Sequence, residues 1–210
     1  MVSANAAEGI SVGINKDADH LFFAFSENGN EKQLHVKLEN TSVSLASEAV
    51  FVAVELYDVA AAVIGAILAL HGQFQTGASG VVFGVDSTGV SFSLETNRLS
   101  IPRGTGVTCT TFVTRVLGAF NINFFCEPHA PLDSEDRKAL DALNEYTERF
   151  PETAVRTVVP QDHAERPKDA FYVAMKGTFP LSHAAAREGH SEVDAAIETV
   201  FPRGRQEEND

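Results

Sequence analysis

The chain has 210 residues, 44% of them hydrophobic, with 15 Phe and no Trp, which excludes a disordered chain and allows one domain with a substantial core. Sixteen basic against 29 acidic side chains give a formal net charge of -13. That balance argues against nucleic acid and anionic lipid as partners, favours solubility and admits a cationic protein partner.

The opening Met1-Val-Ser-Ala-Asn-Ala-Ala-Glu8 lacks the basic and apolar regions of a signal peptide. Strands are predicted at Gly9–Ile14 and His20–Ser26; Leu21-Phe-Phe-Ala-Phe25 is apolar on both alternating faces, as in a strand covered on both sides. Asn28-Gly29 makes a hairpin turn, because both residues tolerate positive φ. The return strand is Lys32–Glu39, with Leu34, Val36 and Leu38 alternating against His35, Lys37 and Glu39. Thr41–Leu45 is a further strand, and Val50–Leu56 fits strand or helix equally. Asp58 is placed to cap a helix over Val59–His71 that Gly72 would end; this run is too short to span a bilayer.

A second hairpin is expected from Val81–Val85 and Val90–Leu94 around Asp86-Ser-Thr-Gly89. Pro102, Gly104 and Gly106 then break regular structure, and Thr108 is a suitable N-cap for a helix carrying Phe112, Val113, Val116, Leu117 and Phe120 on one stripe. Asn121–Cys126 reads as extended, Ser134–Phe150 as a helix stopped by Pro151, and Thr153–Val159 as an edge strand. Pro167 opens a helix to Lys176 that Gly177 closes. Pro180–Arg187 is short and alanine-rich, and Ser191 to Asp194 reads as a capping box opening a last helix whose Val193, Ile197, Val200 and Phe201 face inward. His163, His183 and His190 read as surface or capping residues, and Arg203–Asp210 as a mobile tail. No P-loop, dinucleotide fingerprint or HExxH pattern occurs, so no cofactor is expected. No metal is expected either: Cys126-Glu-Pro-His129 supplies two ligand-type residues without a further pair nearby.

Cys109 follows the cap directly. In the first turn the helix dipole and unpaired N–H groups favour a thiolate and offer donors to an oxyanion. Its place beside the apolar stripe equally suits a buried core cysteine. With only Cys126 beside it, there is no disulfide scaffold, and a reduced cytoplasmic setting is the simpler expectation.

Cys109-Thr-Thr-Phe112-Val113 after a loop resembles the C-x-x-F-V nucleophile helix of the NlpC/P60 papain-like superfamily. The circularly permuted, lecithin:retinol acyltransferase-like branch is nearer still, because there the histidine precedes the cysteine. The resemblance covers about a dozen residues and departs from the family in having Thr108 where Asp or Asn is common. It implies an α+β domain, an antiparallel sheet packed against the cysteine helix, with residues 130–202 as a helical C-terminal extension. It also implies a thiol hydrolase, peptidase or acyltransferase acting on a small-molecule, peptide or acyl substrate. Cys109 would be the nucleophile and His35, on a strand, its partner; His20, His129 and His163 are the substitutes. His35 shares its face with Lys37 and Glu39, so it also reads as an ordinary solvent-facing histidine. No third residue stands out, Glu55 and Asp86 being possible. The competing expectation is a non-catalytic acidic interaction protein, of binding or immunity type, with a degenerate version of this fold.

Overall fold

The structure is a computed structural model of the chain and describes residues 2–3, 10–27, 30–36, 41–45, 49–53, 60–75, 84, 87–103, 105–127, 132–138, 141 and 165–202. It is α+β. Six strands, β1 (Val2–Ser3), β2 (Ile10–Asn15), β3 (Leu21–Glu27), β4 (Asn30–Val36), β5 (Thr41–Leu45) and β6 (Ala49–Ala53), form one antiparallel sheet in the order β1-β6-β2-β3-β4-β5. Residues 46–48 alone join β5 to β6, which lies beyond three intervening strands. That link reaches about 15 Å at most against roughly 19 Å for flat strand spacings, so the sheet is strongly coiled.

The β3–β4 ladder runs from Phe23 opposite Leu34 to Glu27 opposite Asn30, which flanks the predicted Asn28-Gly29 turn; the two turn residues lie outside the described ones. The ambiguous Val50 segment is strand β6, set between β1 and β2. Alternation along β3 divides the sheet into two faces. Leu21, Phe23 and Phe25 join Ile10, Val12, Ile14, Leu34 and Val36 in the main core. Phe22 and Ala24 face the other way and are buried too, as the doubly apolar run predicts.

Helix α1 (Ala60–Gln75) runs past His71 and through Gly72, which does not end it; the proposed cap at Asp58 lies outside the described residues. A hairpin that the sequence does not predict follows: β7 (Ser91–Ser93) pairs with β8 (Arg98–Ser100), with Asn97 at φ 50° in the intervening turn. The expected turn at Ser87–Val90 is present, with Val90 N–H bonded to the Ser87 carbonyl and Gly89 at φ 71°. The strand expected at 81–85 falls largely outside the described residues.

Helix α2 (Cys109–Ala119) packs on the main-core face, where the Phe112 ring meets Phe23 edge-on at 5.8 Å between centroids. After it, Phe125 makes a single parallel bridge to Leu181. Residues 134–138 are helical, capped by Asp133, whose Oδ1 accepts from Glu135 and Asp136 N–H; the rest of the helix predicted to Phe150 falls mostly outside the described residues, and the strand predicted at Thr153–Val159 wholly so. Helix α3 (Pro167–Lys176) ends on Gly177 in the left-handed region, as predicted. Helix α4 (His183–Glu188) starts behind Ser182, and α5 (His190–Val200) starts behind Gly189 with no side-chain cap. The Ser191–Asp194 capping box is therefore not formed; Asp194 instead pairs with Lys168 at 2.6 Å. Among the described residues no helix is long and apolar enough to cross a membrane.

Candidate functional site

Cys109 occupies the first position of α2. Thr108 and Thr111 cap that end reciprocally: Thr111 N–H donates to Thr108 Oγ1 at 3.2 Å, and Thr108 N–H donates to Thr111 Oγ1 at 2.7 Å. A threonine thus replaces the usual Glu of a capping box, which is why the predicted start holds. The thiol is buried, and Sγ lies 3.9 Å from Thr110 Oγ1. Burial pushes the thiol pKa up; the backbone of Leu21 and the hydroxyl and backbone of Thr110 act against that, and the Asp19 carboxylate adds to the rise. Groups that lower an acid's pKa donate to its anion, so the Leu21 N–H points at the sulfur.

Leu21 opens β3, and the residue before it is His20. His20 Nε2 lies 3.0 Å from His35 Nδ1, with the rings edge to face at 5.1 Å. Phe22 stacks on His20 at 6.3 Å and meets His35 edge-on at 6.4 Å. His35 is only 4% exposed, opposite Ser42 of β5, so the reading of it as a solvent-facing histidine is overturned. The opposite face of this sheet is buried as well, and the polar side chains along β4 did not reveal that.

The structure therefore brings His20 and His35 together and sets Cys109 against the residue that follows His20. It does not place His35 under the cysteine helix: α2 rests on the Phe23 face, while His35 and Phe22 belong to the other. What links the two is the chain itself, since the residue after His20 is Leu21, whose backbone neighbours the Cys109 sulfur. The described partners of Sγ are the Thr110 hydroxyl and the Leu21 and Thr110 backbones, with no imidazole among them. His129, His163, Glu55 and Asp86 lie outside the described residues.

Three further features escaped the sequence. His190 Nε2–H donates to Asp169 Oδ1 at 2.5 Å, and that carboxylate is fully buried. Asp169 also faces Arg187, which pairs with Asp136 at 3.4 Å, and Arg166 binds both Asp136, at 2.7 Å, and Asp133. This network ties the 133–136 turn to α3, α4 and α5; its members are 20 to 50 residues apart, so spacing gave no signal. His183 is buried and stacked on Phe125 at 4.0 Å, and is not a surface residue. Cys126 is exposed and lines a cavity of about 440 Å³ with Arg115, Asn123, Glu127 and Glu165. Among the described residues no group of three or more His, Cys, Asp or Glu is placed to hold a metal ion. Comparison with protein-family models, with curated proteins and with solved structures finds no match for this chain.

Proposed function

We propose that the chain is a papain-like thiol hydrolase or acyltransferase of the permuted NlpC/P60 type, with Cys109 as nucleophile, His20 as its acid–base partner and His35 as the residue that orients His20. The observation that carries this reading is the 3.0 Å His20–His35 bond beside the residue whose N–H reaches the Cys109 sulfur. It reassigns the strand histidine: His35 becomes the third member of the site and His20, the substitute in sequence, becomes the base.

The chemistry follows from these positions. Sγ attacks the carbonyl carbon of an amide or ester as its proton passes to the His20 imidazole. The Cys109 N–H, in the unpaired first turn, donates to the carbonyl oxygen as it gains charge. The imidazolium then protonates the leaving amine or alcohol, and water or an acceptor hydroxyl or amine releases the acyl group from sulfur. Because burial raises the thiol, it rests protonated, and its proton transfer to His20 is coupled to attack. This reading requires His20 to come within hydrogen-bond reach of Sγ when substrate binds, as catalytic contacts often form only in the complex.

A second reading is favoured by the same burial: an acidic, non-catalytic binding protein in which Cys109 is core. Alkylation by iodoacetamide in a Cys126→Ala background separates the two. The enzyme reading expects Cys109 to label in the folded protein with its proton passing to His20, so that His20→Ala cuts the rate at least tenfold. Labelling of Cys109 only on unfolding, or a rate indifferent to both His20→Ala and His35→Ala, refutes it in favour of the binding protein.

A further inference from the structure

His20 stands at the end of a tight connection between β2 and β3, and one side chain closes that connection. Asn15, the last residue of β2, accepts from the Asp19 N–H at 3.1 Å and from the His20 N–H at 3.0 Å, both on Oδ1. Its Nδ2 donates to Asp19 Oδ1 at 2.6 Å. Its backbone N–H donates to the His20 carbonyl at 3.1 Å, and its carbonyl accepts from the Ala18 N–H at 3.0 Å. The amide orientation is dictated by these neighbours, two N–H donors on one side and a carboxylate on the other.

We propose that Asn15 is a positioning residue for the candidate site: its side-chain amide fixes the backbone of His20, and so the angle at which the imidazole leaves the strand towards His35. The inference rests on the functional reading above for its catalytic meaning, while its structural content stands apart. The residue type is specific. Both Asp19 and His20 sit where the ladder has ended, so their N–H groups need an outside acceptor. A serine is too short to reach two successive N–H groups and the Asp19 carboxylate together. An aspartate keeps the acceptor but sets a like charge against Asp19 and loses the Nδ2 donor. The same clasp holds Asp19, whose carboxylate is among the groups that raise the Cys109 thiol. Asn15 thus holds both His20 and a carboxylate that acts on the Cys109 thiol.

The test compares the Cys126→Ala protein with the same protein carrying Asn15→Ala, Asn15→Asp or, as a destabilised control that makes none of the turn's hydrogen bonds, Val193→Ala. Two readouts are taken: ring 15N chemical shifts of the histidines through a pH titration, with His20 assigned by His20→Ala, and the pH profile of Cys109 alkylation. Asn15→Ala is expected to move the His20 resonances and titration and to lower the alkylation rate near pH 7 by roughly 10- to 100-fold, the effect of misplacing a reacting group by about 1 Å. Asn15→Asp, which keeps the bond to the His20 N–H, is expected to restore most of the His20 signal. Val193→Ala is expected to lower stability and leave both readouts unchanged. Unaltered His20 shifts in Asn15→Ala overturn the proposal, as does an equal change in Val193→Ala. If His20 shifts respond but Cys109 is inert in every folded variant, the positioning role holds and the enzyme reading is what fails.

Discussion

Replacing Gly13 by alanine tests the packing that holds the two histidines. Gly13 sits opposite Phe22 in the β2–β3 ladder, and a Cβ built there would lie 2.1 Å from Phe22 Cε2, with Cζ and Cδ2 also inside 3.0 Å. Ordinary carbon contacts begin near 3.5 Å, so the ring has to move by more than ~1 Å. It has little room, being 1% exposed and in contact with His20 and His35. Overpacking of this kind costs about 1–3 kcal/mol, against which Ala gains ~0.5–1 kcal/mol over Gly in a strand. A net loss of ~1–2 kcal/mol is expected, a fall of about 0.5–1 M in the urea midpoint at a slope near 2 kcal/mol/M. Urea unfolding followed by far-ultraviolet circular dichroism measures it. The cause is isolated by a double-mutant cycle: Phe22→Ala alone costs ~3–5 kcal/mol, and adding Gly13→Ala to it should cost nothing further. A neutral or stabilising Gly13→Ala, or strict additivity in the cycle, would show that the Phe22 ring does not cover Gly13 and would remove the basis for the His20–Phe22–His35 arrangement.

Ala18 adopts φ 59° without being glycine, so Ala18→Gly should raise stability by ~0.5–1 kcal/mol in the same urea assay, relief of left-handed strain exceeding the entropy of the unfolded chain. Thr108→Ala removes the acceptor for Thr111 N–H and is expected to cost about 1 kcal/mol, with the loss absent in Thr108→Ser. The backbone N–H of Asp136, with help from Glu135 N–H and Arg166, holds the Asp133 carboxyl at about 2. A depressed folded-state value stabilises above the unfolded pKa and is lost as pH falls from about 4 towards 2; the side chain is 42% exposed, so solvent screening keeps the effect small. Asp133→Asn should flatten the acid limb of a stability-against-pH curve in that window, and an unchanged limb contradicts the assignment.

Much of the scaffold is legible because local chemistry and tertiary packing agree. The doubly apolar Leu21–Phe25 run forecasts a strand buried on both faces, Gly177 and Pro167 bracket their helix, and Thr108 marks the start of α2. The failures have physical causes. Gly72 is exposed and only Gln73-Phe74-Gln75 follow it in α1; a glycine inside a helix costs only ~1 kcal/mol, too little by itself to end one. The β7–β8 hairpin escapes the sequence because its turn rests on a lone Asn97 that accepts positive φ, without the usual glycine. The α5 capping box is passed over because Asp194 has a lysine to meet across α3. For the site, sequence supplied the cysteine, its helix and both histidines, but not their division of labour. His35 looks solvent-facing because Lys37 and Glu39 continue its alternation, and only the cross-strand register puts it beside Phe22 and His20. Asn15 carried no signal at all, since its partners are defined by the turn's three-dimensional closure.

The position of Cys109 also limits what kind of nucleophile it can be. A helix N-terminus and the donors from Leu21 and Thr110 stabilise an anion, yet burial outweighs them and Asp19 opposes them, so the thiol stays above its ordinary range. A preformed thiolate–imidazolium pair would need a charge to enter a nearly sealed position without water, at a cost of several kcal/mol. A protonated thiol avoids that cost and gives up its proton only when a substrate carbonyl arrives to accept the charge and the Cys109 N–H to stabilise it. His35 suits such a site better than a carboxylate would. On the proposed reading, its 3.0 Å bond would orient His20 without adding a negative charge beside the imidazolium.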